Sequence, residues 1–393
     1  MNSNLKTNPF VAIACGGTGG HLFPGLAVAE QLKLRGCDVA LLISPKDVDQ
    51  QAVKAAAGME VYTLPAVALQ NGNYLAFGSS FVKSLLAARR IFRRRKPDAV
   101  LAMGGFTSAP PIFAGKGAGA KTFLHESNTI PGRANRLLAR LVDEAFVGFP
   151  ETASRLKAGK VTTTGTPVRP GFLRLDNGGR AAAAVKLGLE GGRPTILVVG
   201  GSQGASGVNA MVISALPLLA GKGWQWLHLT GAHDFEKVKA AYAGLGLTAV
   251  VKPFLAEMDW ALGVATAAVS RAGASSLAEM AALRLPALLV PYPAAADNHQ
   301  FFNARIYALS GAARLLEQKD ATPEKVAAIL AELVENGAAR AKMDAALELW
   351  HMPKSAEKIA TSILRWSFQA TELPGKGTGA RGAAPAKNLS AVG

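Results

Sequence analysis

Each half of this chain opens in the same way, with a short apolar run, a glycine loop and a stretch of helical character. In the first half the segment is Val11-Ala-Ile-Ala-Cys-Gly-Gly-Thr-Gly-Gly20, and in the second Ile196-Leu-Val-Val-Gly-Gly-Ser-Gln-Gly204. Comparable apolar runs recur at 10–15, 39–44, 99–103, 122–124 and 145–147, then at 195–199, 226–229, 249–251, 267–270 and 287–291. Strands that alternate with helices predict parallel sheets covered on both faces. The alternation breaks between residues 167 and 192, where Pro170, Gly171, Asn177, Gly178 and Gly179 interrupt any period. With 393 residues, 49% of them hydrophobic and 18% charged, the chain has the length and the apolar content for two cores. The expectation is therefore an α/β protein with two doubly wound, Rossmann-like domains facing each other across a cleft.

Several classes drop out. No apolar run approaches the ~20 residues of a bilayer-spanning helix. Lys6 alone precedes a run that stops at Gly16, which is no secretory signal, and the expected location is the cytosol. Cys15 and Cys37 are too few for a disulfide framework and read as buried thiols. The histidines at 21, 125, 228, 233, 299 and 351 lack metal-ligand spacing, so neither a metal nor a cofactor is expected. Nicotinamide binding fails because Leu22 stands where a small residue is needed and Ser44-Pro45-Lys46 supplies no ribose acid. The segment from Gly115 to Thr122 approaches a phosphate-loop triphosphatase motif, but Ala120 replaces its glycine and a strand follows where a helix is required.

Three glycine loops end strands: Gly16-Gly17-Thr18-Gly19-Gly20-His21, Gly104-Gly105-Phe106-Thr107-Ser108 and Gly200-Gly201-Ser202-Gln203-Gly204. Small residues there let backbone N–H groups and a helix N-terminus approach a phosphate closely. The segment Ser270-Arg-Ala-Gly-Ala-Ser-Ser-Leu-Ala-Glu279 reads as another such helix start, with Glu279 one turn in and suited to ribose hydroxyls. Downstream, Pro291-Tyr-Pro-Ala-Ala-Ala-Asp-Asn-His-Gln300 is a polar loop able to serve sugar hydroxyls.

The net charge of +16 is uneven, with 21 Lys and Arg against 10 Asp and Glu in residues 1–169. Lys83, Arg89, Arg90, Arg93, Arg94, Arg95 and Lys96 form a run with no acid among them. No aromatic stacking platform accompanies it, which disfavours nucleic acid. Phe77, Phe81 and Leu85, beside Arg89, Arg90, Arg93 and Arg94, predict docking on an anionic membrane surface instead. Ala356, Ile359, Ala360, Ile363 and Leu364 lie at helical spacing, while residues 370–393 are expected to be a disordered tail.

Gly-Gly-Thr-Gly-Gly-His-Leu-Phe-Pro-Gly25, His125-Glu-Ser-Asn128, Gly165-Thr-Pro-Val-Arg169, Gly200-Gly-Ser-Gln-Gly204, Arg271-Ala-Gly-Ala274 and Asp297-Asn-His-Gln300 occur in one order over about residues 10–365. Together they resemble the MurG family of bacterial peptidoglycan glycosyltransferases, which add N-acetylglucosamine to undecaprenyl-pyrophosphoryl-N-acetylmuramyl-pentapeptide, converting lipid I to lipid II. The resemblance implies a GT-B fold, UDP-N-acetylglucosamine as donor, lipid I as acceptor, inversion at the anomeric carbon and peripheral attachment to the cytoplasmic face of the plasma membrane. It implies an acceptor- and membrane-binding domain over 8–168, onto which a helix at about 354–368 packs back, and a donor-binding domain over 169–353. Residue by residue, Thr18, Gly19 and Gly20 match the first glycine loop, Asn128 the asparagine near the donor sugar, and Arg169 and Ser202 the diphosphate contacts. Leu255 falls at the uracil backbone contact, Ala274 and Ser275 at the binding helix start, Glu279 at the ribose acid and Gln300 at the sugar-binding glutamine. Ser127 and His299 depart from the glutamines of some relatives. Candidates for the catalytic base are His21 and Glu126. Another GT-B enzyme, such as a glycolipid synthase or a UDP-sugar 2-epimerase, would share the donor site.

Overall fold

The computed structural model describes residues 8–46, 58–65, 74–105, 107–201 and 204–368, without the side chains of 74–76 and 368. Ser202 and the tail at 370–393 lie outside the described residues. The first domain holds β1 (Phe10–Ala14), α1 (Gly19–Lys33), β2 (Asp38–Ile43), β3 (Glu60–Thr63), α2 (Tyr74–Arg94), β4 (Ala99–Ala102), α3 (Ala109–Gly117), β5 (Lys121–Glu126), α4 (Arg133–Leu138), β6 (Glu144–Val147), α5 (Pro150–Ala153) and β7 (Val161–Thr163). Its seven strands run in the order β3-β2-β1-β4-β5-β6-β7, and every pairing is parallel. Every residue of β1 and β4 is buried, which is why these strands read as continuous apolar runs rather than as alternating ones.

A helix, α6 (Asn177–Leu187), bridges to the second domain. Glycines were expected to break any period here, but Asp176 caps the helix by accepting from the Gly179 N–H at 2.7 Å. The four alanines that follow supply enough helix propensity to carry Gly178 and Gly179 in the first turn. The second domain comprises β8 (Thr195–Val199), α7 (Ser206–Leu219), β9 (Gln225–Leu229), α8 (Phe235–Gly244), β10 (Ala249–Lys252), α9 (Met258–Val264), β11 (Ala267–Ser270), α10 (Ala274–Leu283), β12 (Ala287–Leu289), α11 (His299–Leu309), β13 (Arg314–Leu315), α12 (Pro323–Glu335) and α13 (Gly337–Trp350). Its six strands run β10-β9-β8-β11-β12-β13, again all parallel. All ten strands read from the sequence are present; β3, β7 and β13 were not foreseen. These three are half-exposed edge strands of two to four residues, too short and too polar to give an apolar run.

The last helix, α14 (Ser355–Phe368), returns to the first domain. Ile359, Ala360 and Ile363 are fully buried in one core with Leu22 and Leu26 of α1. Glu144 of β6 fastens it: one carboxylate oxygen accepts from Ser362 Oγ and Trp366 Nε1, each at 2.7 Å, and the other from Thr162 Oγ1 at 2.6 Å. Burial pushes the Glu144 pKa up, but these donors and Lys160 outweigh it and leave the carboxyl below its usual value.

Candidate active site

In each sheet the strand order reverses once, between β1 and β4 and between β8 and β11. Doubly wound sheets bind ligands at such points, beyond the carboxyl ends of the strands. The loops 16–20 and 104–105 follow β1 and β4, and the segments 200–204 and 271–273 follow β8 and β11. Four helices leave these loops, α1, α3, α7 and α10, and none has a side-chain cap or an acid in its first turn, but α3 opens on Pro110 and Pro111, which carry no N–H, so only α1, α7 and α10 offer free donors. Away from the cleft α6, α12 and α13 are capped by Asp176, Thr322 and Asn336. Uncapped N–H groups at the positive end of a helix dipole form an anion site.

The glycines divide into two groups. A Cβ on Gly16 would stand 2.3 Å from the Ser44 nitrogen, and one on Gly204, at φ +77°, would stand 2.2 Å from the Thr230 oxygen. Those two are demanded by the packing of the chain. A Cβ on Gly20 would meet nothing nearer than 3.6 Å, so its small size leaves open space beside the α1 terminus. Ser275 Oγ donates to the Gly20 carbonyl at 3.0 Å, which sets the N-termini of α1 and α10 opposite each other across the cleft.

The first-domain wall is a network of polar side chains. The half-buried His21 ring lies against the Gly104 and Gly105 backbone, where added Cβ atoms would approach it to 3.0 and 3.1 Å. Its Nδ1 is 3.2 Å from Thr18 Oγ1. Glu126 is buried and doubly engaged at both oxygens. Oε1 accepts from Asn128 N (2.9 Å) and Nδ2 (3.1 Å), and Oε2 from Gly132 N (2.8 Å) and Asn135 Nδ2 (2.9 Å). A carboxylate held this way anchors the loop 126–135. His125 is fully buried between Gly165 O and Ser127 Oγ, and burial lowers its pKa to about 4, so the ring is neutral.

Asn303, on α11, was not foreseen, although it lies one helical turn beyond Gln300 in an otherwise apolar Phe301-Phe302 stretch. It is fully buried and joins the domains: Oδ1 accepts from Thr129 N and Oγ1, both at 3.0 Å, and Nδ2 donates to Asn128 Oδ1 at 3.0 Å and Ala272 O at 3.1 Å. Arg136 adds an ion pair to Asp297, which with Asn298 adopts positive φ.

The remaining expected residues cluster on the second-domain side. The Arg169 guanidinium lies 4.2 Å from the Phe23 ring centroid and 5.1 Å from that of Phe172, and its buried Nε has no protein partner. Glu279 lies one turn in from the start of α10 at Ala274. Burial raises its pKa to about 7 against the opposing charge of Arg169. Gln300 Oε1 accepts from Ala272 N at 3.3 Å and Tyr292 N at 3.0 Å. Leu255 is 6% exposed, its side chain in the core, so only its backbone is left for a ligand.

On the outer face of the first domain, α2 packs on α3. Leu85 is half-buried and packs against the core beside Ala88 and Phe92, so it presents less apolar surface to solvent than Leu86. Phe77 and Phe81 are half-buried, and Phe81 meets Phe113 edge-on at 6.1 Å. The apolar groups facing solvent are Val82, Leu86 and Phe113, beside exposed Lys83, Arg89, Arg90, Arg93 and Arg94. No helix among the described residues is long and apolar enough to cross a membrane.

Two doubly wound domains turned into one cleft make up the GT-B architecture. Residues 11–147 match the glycosyltransferase family 28 N-terminal domain and residues 195–360 its C-terminal domain. A UDP-N-acetylglucosamine--N-acetylmuramyl-(pentapeptide) pyrophosphoryl-undecaprenol N-acetylglucosamine transferase of Anaeromyxobacter sp. (strain Fw109-5) is 37% identical over 378 residues, covering 93% of this chain and 97% of that one. A protein of the same name from Nitrobacter hamburgensis is 35% identical over 371 residues, covering 92% and 98%. The crystal structure of Acinetobacter baumannii MurG superposes with a TM-score of 0.71 at 27% identity, covering 91% of this chain and all of that one. The chain belongs to the MurG family of the family 28 glycosyltransferases.

Proposed function

We propose that this protein transfers N-acetylglucosamine from UDP-N-acetylglucosamine to the C4 hydroxyl of the N-acetylmuramyl residue of lipid I, forming lipid II with inversion at the anomeric carbon. The observation that carries the reading is the pair of uncapped helix N-termini, α1 and α10, held face to face by Ser275 and Gly20, with Arg169 and Glu279 beside them. The diphosphate lies on the N–H groups that open α7 and α10, Ala274 and Ser275 included, and on Arg169, whose Nε is a buried donor without a protein acceptor; Ser202, outside the described residues, is a further diphosphate contact that the family resemblance implies. Ionised Glu279 accepts from the ribose hydroxyls. Uracil meets the Leu255 backbone, and the sugar meets Asn128 and the Nε2 of Gln300.

His21 is the base. It takes the proton of the acceptor hydroxyl as that oxygen bonds to the donor C1 and the C1–O bond to UDP breaks; Thr18, Gly19 and Gly20 shape the space in which this occurs. Negative charge grows on the β-phosphate, where fixed helix N–H groups and Arg169 need no reorganisation to stabilise it. Glu126, with both oxygens taken, positions Asn128 instead of moving a proton. The polyprenyl tail of the acceptor keeps the reaction at the bilayer. Exposed Val82, Leu86 and Phe113, with Phe77 and Phe81 behind them, insert among headgroups that the basic run attracts, each basic residue contributing about 1 kcal/mol.

Incubation with radiolabelled UDP-N-acetylglucosamine and a lipid I analogue should move label into lipid, and UDP-N-acetylgalactosamine should not substitute. Conversion of the sugar nucleotide without acceptor would instead assign an epimerase.

A further inference from the structure

One cavity of the second domain lies away from the cleft. It encloses about 500 Å³ at the opposite edge of the sheet, before β11 and β12, beneath α6 and α13. The ten residues of α10 run from the cleft to its wall, a span of about 15 Å at the α-helical rise. Six charged side chains line it: Arg174, Arg180, Arg284 and Arg340 against Asp344 and Glu348. Arg174 pairs with Asp344 at 2.9 Å, and Arg284 with Glu348 at 2.9 Å. Among the described residues Arg180 and Arg340 instead reach main-chain oxygens, Arg180 those of Val264 and Ala265 at 3.2 Å and Arg340 those of Leu333 and Val334. Two positive charges in the wall therefore lack a carboxylate.

The wall is also built at a cost. Arg180 stands close to Arg174, and desolvation together with that like charge lowers its pKa. Arg284 ends α10 in the left-handed conformation, φ +56°, where glycine would sit without strain. Like-charged guanidinium groups around a concave space are stabilised by an anion that accepts from several of them, and phosphate oxygens match the guanidinium fork. The volume is in the range of small-molecule sites, about 300–1,000 Å³. We propose that this cavity binds a small soluble phosphorylated ligand carrying at least two negative charges, at a site separate from the cleft.

Inorganic pyrophosphate is the probe, titrated calorimetrically into the full chain. Because the cleft also accepts phosphate, the titration is run on Arg169→Gln, which weakens the cleft and leaves the cavity whole. Binding should persist in that variant, weaken as salt rises, and fall at least tenfold when Arg174→Gln and Arg340→Gln are added. The Arg174 side chain is 66% exposed, so Arg174→Gln alone leaves the core intact and should also weaken binding, with Arg174→Lys recovering part of it. Phosphatidylglycerol vesicles form the second arm, and their binding should not respond to Arg174→Gln. Loss of all pyrophosphate binding in Arg169→Gln, equal affinity with and without the cavity arginines, or an Arg174 effect on vesicles alone would overturn the proposal.

Discussion

The two domains share a topology but build their walls of the cleft from different materials. The second presents chiefly main chain, helix ends without caps over a loop whose Gly204 allows no side chain, with Arg169, Glu279 and Gln300 set around them. The first presents side chains, His21 packed on two glycines and Glu126 gathering four donors. Main-chain donors are fixed by the fold and suit the constant diphosphate and nucleoside of the donor. Side chains can exchange protons and suit the acceptor, where a bond must form. The contrast teaches that binding and proton transfer are separable here, domain by domain.

The sharpest way to break that separation is His21→Ala. Removing a general base costs about 10²–10⁴ in rate, and because the donor is held elsewhere, UDP affinity should not change. Single-turnover rates and calorimetry on one preparation check both halves. A fall in UDP affinity that matches the fall in rate would place His21 in donor binding instead.

The next largest effect concerns charge. With Arg89, Arg90, Arg93 and Arg94 all changed to Gln, the partition onto anionic vesicles should fall by about 10²–10³ at low salt, at roughly 1 kcal/mol per residue. Turnover of a water-soluble acceptor analogue should be unchanged. Leu86→Ser should weaken binding to neutral and anionic vesicles alike, whereas Leu85→Ser should chiefly cost stability, since Leu85 packs against the core.

Much of this was legible in the residues. The glycine loops announced both crevices because a strand that must turn tightly into a helix beside an anion leaves small residues in the text. What stayed hidden has physical reasons. Strands β3, β7 and β13 are short edges whose existence depends on the neighbour they pair with. The half-buried position of Leu85 depends on the phase of α2, which a mixed apolar and basic run does not fix. Asn303 was invisible because its partners lie 174 and 175 residues away.

That residue provides the third test, on the seam between the two materials. Asn303→Ala leaves the Thr129 N–H and the Ala272 carbonyl short of a buried partner, which costs about 1–3 kcal/mol. Because the bonds join the domains, the loss should appear more in KM for both substrates than in the UDP affinity of the second domain alone. Asn303→Asp keeps the acceptor for Thr129 but loses both donated bonds, and should be no better. An unchanged KM for the acceptor would show that the domains close without this contact.

The smallest effect compares two titratable groups, His125 fully buried and Glu279 half-buried. Burial favours the neutral form of each, so it lowers the pKa of His125 to about 4 and raises that of Glu279 to about 7. The signs for stability are therefore opposite. His125 contributes stability above its ordinary value of 6.5 that is lost as pH falls through about 4. Glu279 contributes stability that is complete below its ordinary 4.5 and lost as pH rises through about 7, because the folded chain keeps a proton the unfolded chain releases. Glu279→Gln keeps the neutral shape at every pH. Its thermal midpoint should equal that of the wild type at pH 4 and exceed it at pH 8 by about 2–4 °C. UDP affinity should move the other way: ionised Glu279 accepts from ribose, so the wild type should gain affinity over the variant between pH 6 and 8. A variant that gains stability at pH 8 and keeps full UDP affinity there would confine Glu279 to the fold and leave donor recognition in the second domain to main chain with Arg169 and Gln300.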